Sequence, residues 1–247
     1  MRIAFLGDVH GCVHHAATAV RALDVDLAIQ IGDLGAYPSY ADLPAEDREF
    51  VDTNPAQGDI FRLLDGSLTL DVEVPILFIT GNHDNAEWLK SLHGGQSVVP
   101  IDPLGIFAHV DCGTVLDVAD LSFGFLGGIE APEWGLDIDL AAAASLAGVD
   151  VLVTHDGPYG LATWEGRTQG SVKLARLIHE IQPRLHVHGH YHHVNGPRTY
   201  GQTRSYGLAQ LVPPLDRNPD QCIADGSIGL VNSATLEFAY ISANQLH

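Results

Sequence analysis

Short apolar runs recur along the chain, and each one ends in a polar turn. They are IAFL at 3–6, VDLAIQI at 25–31, VPILFI at 74–79, VDVLV at 149–153 and RLHV at 184–187. Runs of this length bounded by Gly and Asp read as strands buried on both faces. Between them the apolar period lengthens: the stretch 14–23 offers Ala17, Val20 and Leu23 to one side of a helix. Further helices are predicted over 57–64, over NAEWLKSL at 85–92 with Trp88 on its packed side, over 140–148 with Gly148 as the stop, and over SVKLARLIHEI from Ser171. Strand, helix and parallel strand in this order begin an α/β layered fold. The alternating stretch GTVLDVADLSFGFLGGI at 113–129 reads as a hairpin, and SYGLAQLV, SIGLV and TLEFAYI as closing strands of a second sheet.

Two segments break the pattern. From Ala36 to Thr53 the chain is polar, acidic and interrupted by Pro38 and Pro44, with a short helix predicted near 46–50. Because it leaves directly after the second strand, the segment 36–56 is read both as a solvated loop and as a rim insertion at the active site, with Tyr37 and Tyr40 as candidate contacts. The second segment, DGPYGLATWEGRTQG at 156–170, is Gly-rich and carries Tyr159, Trp164 and Arg167. These three join Tyr37 as candidate substrate contacts; a plain surface role for Arg167 is equally open.

The turns at the ends of the apolar runs carry the chemistry. They read GDVHG at 7–11, GDLG at 32–35, GNHD at 81–84, THDG at 154–157 and HVHGH at 186–190. Taken singly, Gly-Asp or Gly-Asn-His is an ordinary turn signal. Together they bring Asp8, His10, Asp33, Asn82, His83, His155, His188 and His190 to the carboxyl edge of one sheet. A donor set of carboxylates, imidazoles and a carboxamide suits two divalent cations with one carboxylate shared between them.

In these motifs the chain resembles the calcineurin-like metallophosphoesterases, and the resemblance runs from Ile3 to the strands near Leu236. It implies an αββα sandwich of two mixed β-sheets flanked by helices, with a dinuclear metal site at the carboxyl ends of the strands. It also implies that Asp8, His10 and His190 hold the first metal, that Asp33 bridges, and that Asn82, His155 and His188 hold the second. His83 would face the scissile phosphate as the catalytic group, its ring oriented by Asp84. Asp156 and Gly157 after His155 depart from the commoner family pattern. His186 is read as structural, and His192 and His193 as surface imidazoles near the opening.

Composition narrows the partners. The 247 residues are read as a single domain able to bury one substantial core. Thirty-one acidic against twelve basic residues give a formal charge of −19, which opposes binding of long nucleic acid and favours a small phosphoester substrate. Cys12, Cys112 and Cys222 are odd in number and far apart, which argues against a disulfide framework or a cysteine zinc site. No membrane association and no protein partner are expected, and a chain entering its first strand at once is expected to be cytoplasmic.

The expected activity is therefore hydrolysis of small phosphodiesters or nucleotide-like phosphoesters by a metal-activated hydroxide. Mn or Fe are the expected cations, with Zn as an alternative. The competing readings are a phosphomonoesterase, a nuclease and a scaffold that keeps the fold without catalysis. A GDxxDRG motif of the protein Ser/Thr phosphatase branch is absent, since Leu34, Gly35 and Ala36 follow Asp33.

Overall fold

The computed structural model describes residues 1–160, 163–164 and 167–246, with Thr163, Trp164 and Arg167 described by their backbone only. Strand β1 (Arg2–Leu6) displays the rule on which the layers are built. Its alternate residues Ile3 and Phe5 join Ile29, Ile31, Phe123, Phe125 and Val153 in one core, while Ala4 and Leu6 join Val13, Ala16 and Val20 of helix α1 (Val13–Leu23) in another. Successive side chains of a strand point to opposite faces, so a strand apolar at every position is covered on both.

Along the chain come β2 (Leu27–Gln30), α2 (Ala45–Thr53), α3 (Asp59–Leu64), β3 (Ile76–Phe78), α4 (Ala86–Leu92), β4 (Val98–Pro100) and β5 (Phe107–Val110). The second half begins with the hairpin β6 (Val115–Val118) and β7 (Leu121–Leu126), then α5 (Leu140–Ala143) and β8 (Val151–Thr154). A two-residue pair, β9 (Thr163–Trp164) and β10 (Arg167–Thr168), precedes α6 (Val172–Ile181) and β11 (Leu185–His188). Last come β12 (Asn195–Tyr200), β13 (Thr203–Gly207), β14 (Ile228–Asn232) and β15 (Phe238–Ile241).

Two mixed sheets result. The first has the order β15-β14-β1-β2-β3-β5-β4 and the second β12-β13-β11-β8-β7-β6. In the first, β1, β2, β3 and β5 run parallel; in the second, β13, β11, β8 and β7 do. The sheets face each other across the core containing Phe5 and Phe125. Helices α1, α3 and α4 supply residues to the outer core of the first sheet, and α5 and α6 to that of the second. This is the α/β sandwich of helix, sheet, sheet and helix that the motifs led one to expect.

Two expectations need correction. β14 and β15 close the first sheet, not the second: β14 pairs antiparallel with β1, Ile3 opposite Val231. The free side of β1 could take a returning strand from any part of the chain, and local periodicity does not say which edge is open. The helix after Leu140 is also shorter than expected, tightening to a 3₁₀ turn over Ala144–Leu146 as Leu146 becomes fully buried. Among the described residues no helix is long and apolar enough to cross a membrane.

Candidate metal centre and its pocket

The parallel strands β1, β2, β3 and β8 deliver their C-terminal turns to a common edge, as open α/β sheets do. Asp8 and His10 follow β1, Asp33 follows β2, Asn82 and His83 follow β3, and His155 follows β8. Donor atoms of Asp8, His10, Asp33 and His192 all lie within 4.8 Å of one another, and so do those of Asp33, His155 and His190. Asn82 joins the second group, its Oδ1 standing 3.2 Å from His155 Nε2. Asp33 is common to both.

The contacts inside these groups are those of a site shaped for cations. Asp33 Oδ2 is buried without a hydrogen bond, 3.3 Å from His155 Nε2 and 3.9 Å from His10 Nε2. The Nε2 atoms of His10 and His192 approach each other to 3.1 Å, and His192 Nε2 also stands 3.1 Å from Asp8 Oδ2. Imidazoles converging in this way on two buried carboxylates, with a carboxylate oxygen left over, match the donor chemistry of borderline divalent metals. Burial would lower His155, but the Asp33 carboxylate lifts it to about 10. Burial lowers His10 to about 4.

Close approach is the reason for glycine before the donors. A Cβ on Gly81 would stand 2.1 Å from Asp33 Oδ1, and one on Gly189 would stand 2.3 Å from Asp8 Oδ1. The donors themselves accept left-handed backbone, with φ of 44° at His10, 57° at Asp33, 68° at His190 and 56° at His192. Such strain gathers where a site over-determines the chain.

The histidines are grouped differently from the expectation in three places. His188 belongs to neither donor group: it lies on the last residue of β11, stacked on His186 with ring centroids 5.4 Å apart. His186 faces away from the inter-sheet core, held by Thr154 Oγ1 and Ser205 Oγ, and the β11 residues that enter that core are Leu185 and Val187. Only after Gly189 does the chain turn inward, so His190 and His192 reach the donors, and His190 falls with His155 and Asp33 rather than with Asp8 and His10. The repeated His-x-His spacing held this signal, but it is the turn that decides which pair is used. Asp156, the departure after His155, accepts a 2.7 Å hydrogen bond from Tyr191 Oη and thereby braces the residue between the two inward histidines.

His83 differs too. Its N–H donates to Asp33 Oδ1 at 2.7 Å, but its ring Nδ1 is held by Asp47 Oδ1 at 2.6 Å and not by Asp84. Asp84 instead accepts the backbone N–H groups of Asp33, Gly35, Ala36 and Gly81, so it ties two donor turns together. Burial and the Asp33 charge raise Asp84 to about 6. Burial opposes the His83 imidazolium, yet the Asp47 hydrogen bond with the charges of Asp33 and Asp47 carries it up to about 9. Asp47 sits on α2 within the acidic segment after Asp33, and a lone carboxylate there gave no sequence sign of its role.

A cavity of about 280 Å³ opens over His10, His83 and His192. Residues 36–56 contribute Tyr37, Leu43, Asp47, Phe50 and Val51 to its lining. Tyr37 is buried and its hydroxyl lies 3.4 Å from Asp47 Oδ2, so it backs the carboxylate that holds His83. Tyr40 instead bonds Asp52 from an exposed position. Tyr159 is half exposed and does not line this cavity. The side chains of Trp164 and Arg167 lie outside the described residues. Cys12 is buried as the residue preceding α1, and burial pushes its thiol up to about 12.

Comparison with known proteins gives a consistent picture. The calcineurin-like phosphoesterase family matches residues 1–194. Metallophosphoesterase domain-containing protein 1 of Homo sapiens is 38% identical over 60 residues, which are 23% of this chain and 18% of the human protein. The chain thus spans under a fifth of the curated relative it matches. Among solved structures, GAP50, the anchor in the inner membrane complex of Plasmodium, is similar at a TM-score of 0.57 and 12% identity over 100% of this chain and 86% of its own. Another crystal structure is similar at a TM-score of 0.59 and 11% identity over 98% of both chains.

Proposed function

The chain belongs to the calcineurin-like phosphoesterase family, and on that premise we propose that it is a metal-dependent hydrolase of small phosphodiesters or nucleotide-like phosphoesters. The observation that carries the reading is the pair of donor groups joined at Asp33, whose Oδ2 is buried without a hydrogen bond. Asp8, His10, Asp33 and His192 would hold one cation; Asp33, Asn82, His155 and His190 would hold the other, Mn or Fe in preference to Zn. Bound there, two divalent cations supply charge neutralisation for phosphoryl oxygens and a water made acidic enough to attack at neutral pH.

The protein's own groups do the rest. Asp84 and the glycines fix the turns so that the donors need not reorganise when charge develops. Asp47 holds His83 by Nδ1, which leaves Nε2 to donate a proton to the departing oxygen or to bind an equatorial one. The cavity admits a small ester at the donor groups. A long polyanion is opposed by the charge of −19. The anchor role of GAP50 suggests a scaffold reading, which the complete donor set and the tethered His83 disfavour in this chain.

Metal analysis of protein reconstituted with manganese, together with hydrolysis of bis(p-nitrophenyl) phosphate, tests the proposal. About two ions per chain and manganese-dependent release of nitrophenolate are expected. Fewer than one ion per chain with no activity on the diester or its monoester would overturn it.

A further inference from the structure

The cavity beside the donor groups is not finished by the chemistry assigned so far. Besides His10, His83 and His192 it is walled by Leu43, Phe50 and Val51 from the segment after Asp33 and by Phe61 of α3. Into it project two carboxamides, Gln57 and Gln210, whose residues are 8% and 4% exposed. Neither side chain has a hydrogen-bond partner among the described residues, and neither amide is sealed from solvent, so both are open to a ligand in the cavity. Other carboxamides of the fold are engaged: Asn54 Nδ2 donates to Gln221 Oε1 at 2.6 Å, and Gln30 is bonded to Gly7 and Gly32.

A carboxamide offers an acceptor and two donors in one plane. That is the pattern which pairs, two bonds at a time, with the edge of a heterocycle carrying a ring nitrogen or carbonyl beside an amino or imino group. The walls around the two amides are aromatic and aliphatic, suited to the faces of a flat ring and not to a charged or hydrated group. No lysine lines the cavity, and its one lining arginine, Arg217, is exposed and without an ion pair among the described residues. A fatty chain would fill the walls but leave both amides unmet, and a sugar alone would meet the amides while wetting the walls.

We infer that this slot is the subsite for the organic part of the ester, and that it takes one uncharged nucleobase read on its edge by Gln57 and Gln210. The inference rests on the hydrolase reading for its purpose and names the substrate class within it: esters of single nucleosides. About 280 Å³ shared with the phosphate is room for one base and not a stack.

The test separates base recognition from hydrolysis. Adenosine, guanosine, cytidine and thymidine, which carry no phosphate, are titrated by calorimetry into the protein in EDTA. At least one should bind with a Kd below about 1 mM, a modest affinity for one buried ring. Gln210→Leu and Gln57→Leu, which keep side-chain volume while removing the amide, should each weaken that binding about tenfold or more, with the melting temperature within the scatter of wild type. In the manganese-loaded enzyme, the p-nitrophenyl ester of the matching nucleoside 5′-phosphate should exceed ethyl p-nitrophenyl phosphate in kcat/KM about tenfold, and the leucine variants should erase the advantage through KM while leaving the ethyl ester unaffected. No binding by any nucleoside, or binding unchanged in both folded variants, overturns the subsite even if the ethyl ester is hydrolysed well. Amide-dependent nucleoside binding with neither ester hydrolysed upholds the subsite and overturns the hydrolase reading instead.

Discussion

Asp84 and Asp47 stand on either side of His83, and they show how differently the two regions that meet at the cavity are made. Asp84 belongs to the turn after β3 and is spent wholly on backbone, accepting four N–H groups from two donor turns. Asp47 belongs to α2, laid across the rim from a segment whose other residues are mostly exposed, and it touches the ring of His83 and the hydroxyl of Tyr37. One carboxylate ties together the turns that carry the donor groups; the other aims a single side chain into the cavity. Frame residues should therefore fail by losing metal and stability, and rim residues by losing rate alone.

The largest effect expected is at the shared donor. Asp33→Ala should lower bound metal below two ions per chain and reduce turnover further than any rim substitution, because the one carboxylate common to both donor groups is removed. Full metal content in this variant would break the assignment of Asp33. His83→Ala should keep both ions and lower kcat by roughly 10² to 10⁴, the usual span for a positioned proton-transfer group. The loss should be larger for an alkoxide leaving group than for nitrophenolate; equal losses would limit His83 to electrostatic stabilisation.

Asp84→Ala should act mainly on stability. Four buried or half-buried donors lose their acceptor, a cost of about 3 kcal/mol, which for a chain of this size is about 6 to 12 °C in melting temperature. Asp47→Asn, by contrast, should melt close to wild type and lower kcat about tenfold, with little further effect when added to His83→Ala, because the two act as a unit. Additive losses in that double variant would detach Asp47 from His83.

The smallest effect lies away from the site. His109 is buried between Phe78, His93 and Thr80 and lowered to about 3, burial being the main cause. Its unfolded counterpart takes a proton near pH ~6.5, so the stability it contributes is complete above that pH. It is lost progressively as pH falls from there through the folded value. Melting curves of wild type and His109→Gln should differ most above pH ~6.5 and converge toward pH ~5; a constant gap would reject the neutral buried imidazole.

Legibility in the sequence tracked the range of the interaction. The apolar runs, their glycine-bounded ends and the Asp, Asn and His residues beyond them are local features, and period and turn chemistry suffice to read them. That is why Asp8, His10, Asp33, Asn82 and His155 stand together as their motifs imply. Which of His188, His190 and His192 turns inward was not local, because it depends on where β11 ends and on the close fit of Gly189 against Asp8. The partner of His83 lies 36 residues away on another helix, and the two unpaired carboxamides of the cavity are separated by the better part of the chain. The chain by itself determined the strands and the donor chemistry at their carboxyl ends, since each arises from neighbouring residues; that the donors come from both sheets, and not from one as the motifs led one to expect, was decided by packing. Only packing decided which sheet β14 and β15 would close, which histidines complete the donors, and which carboxylate aims His83, because those choices are made by contacts between segments that have no spacing in common.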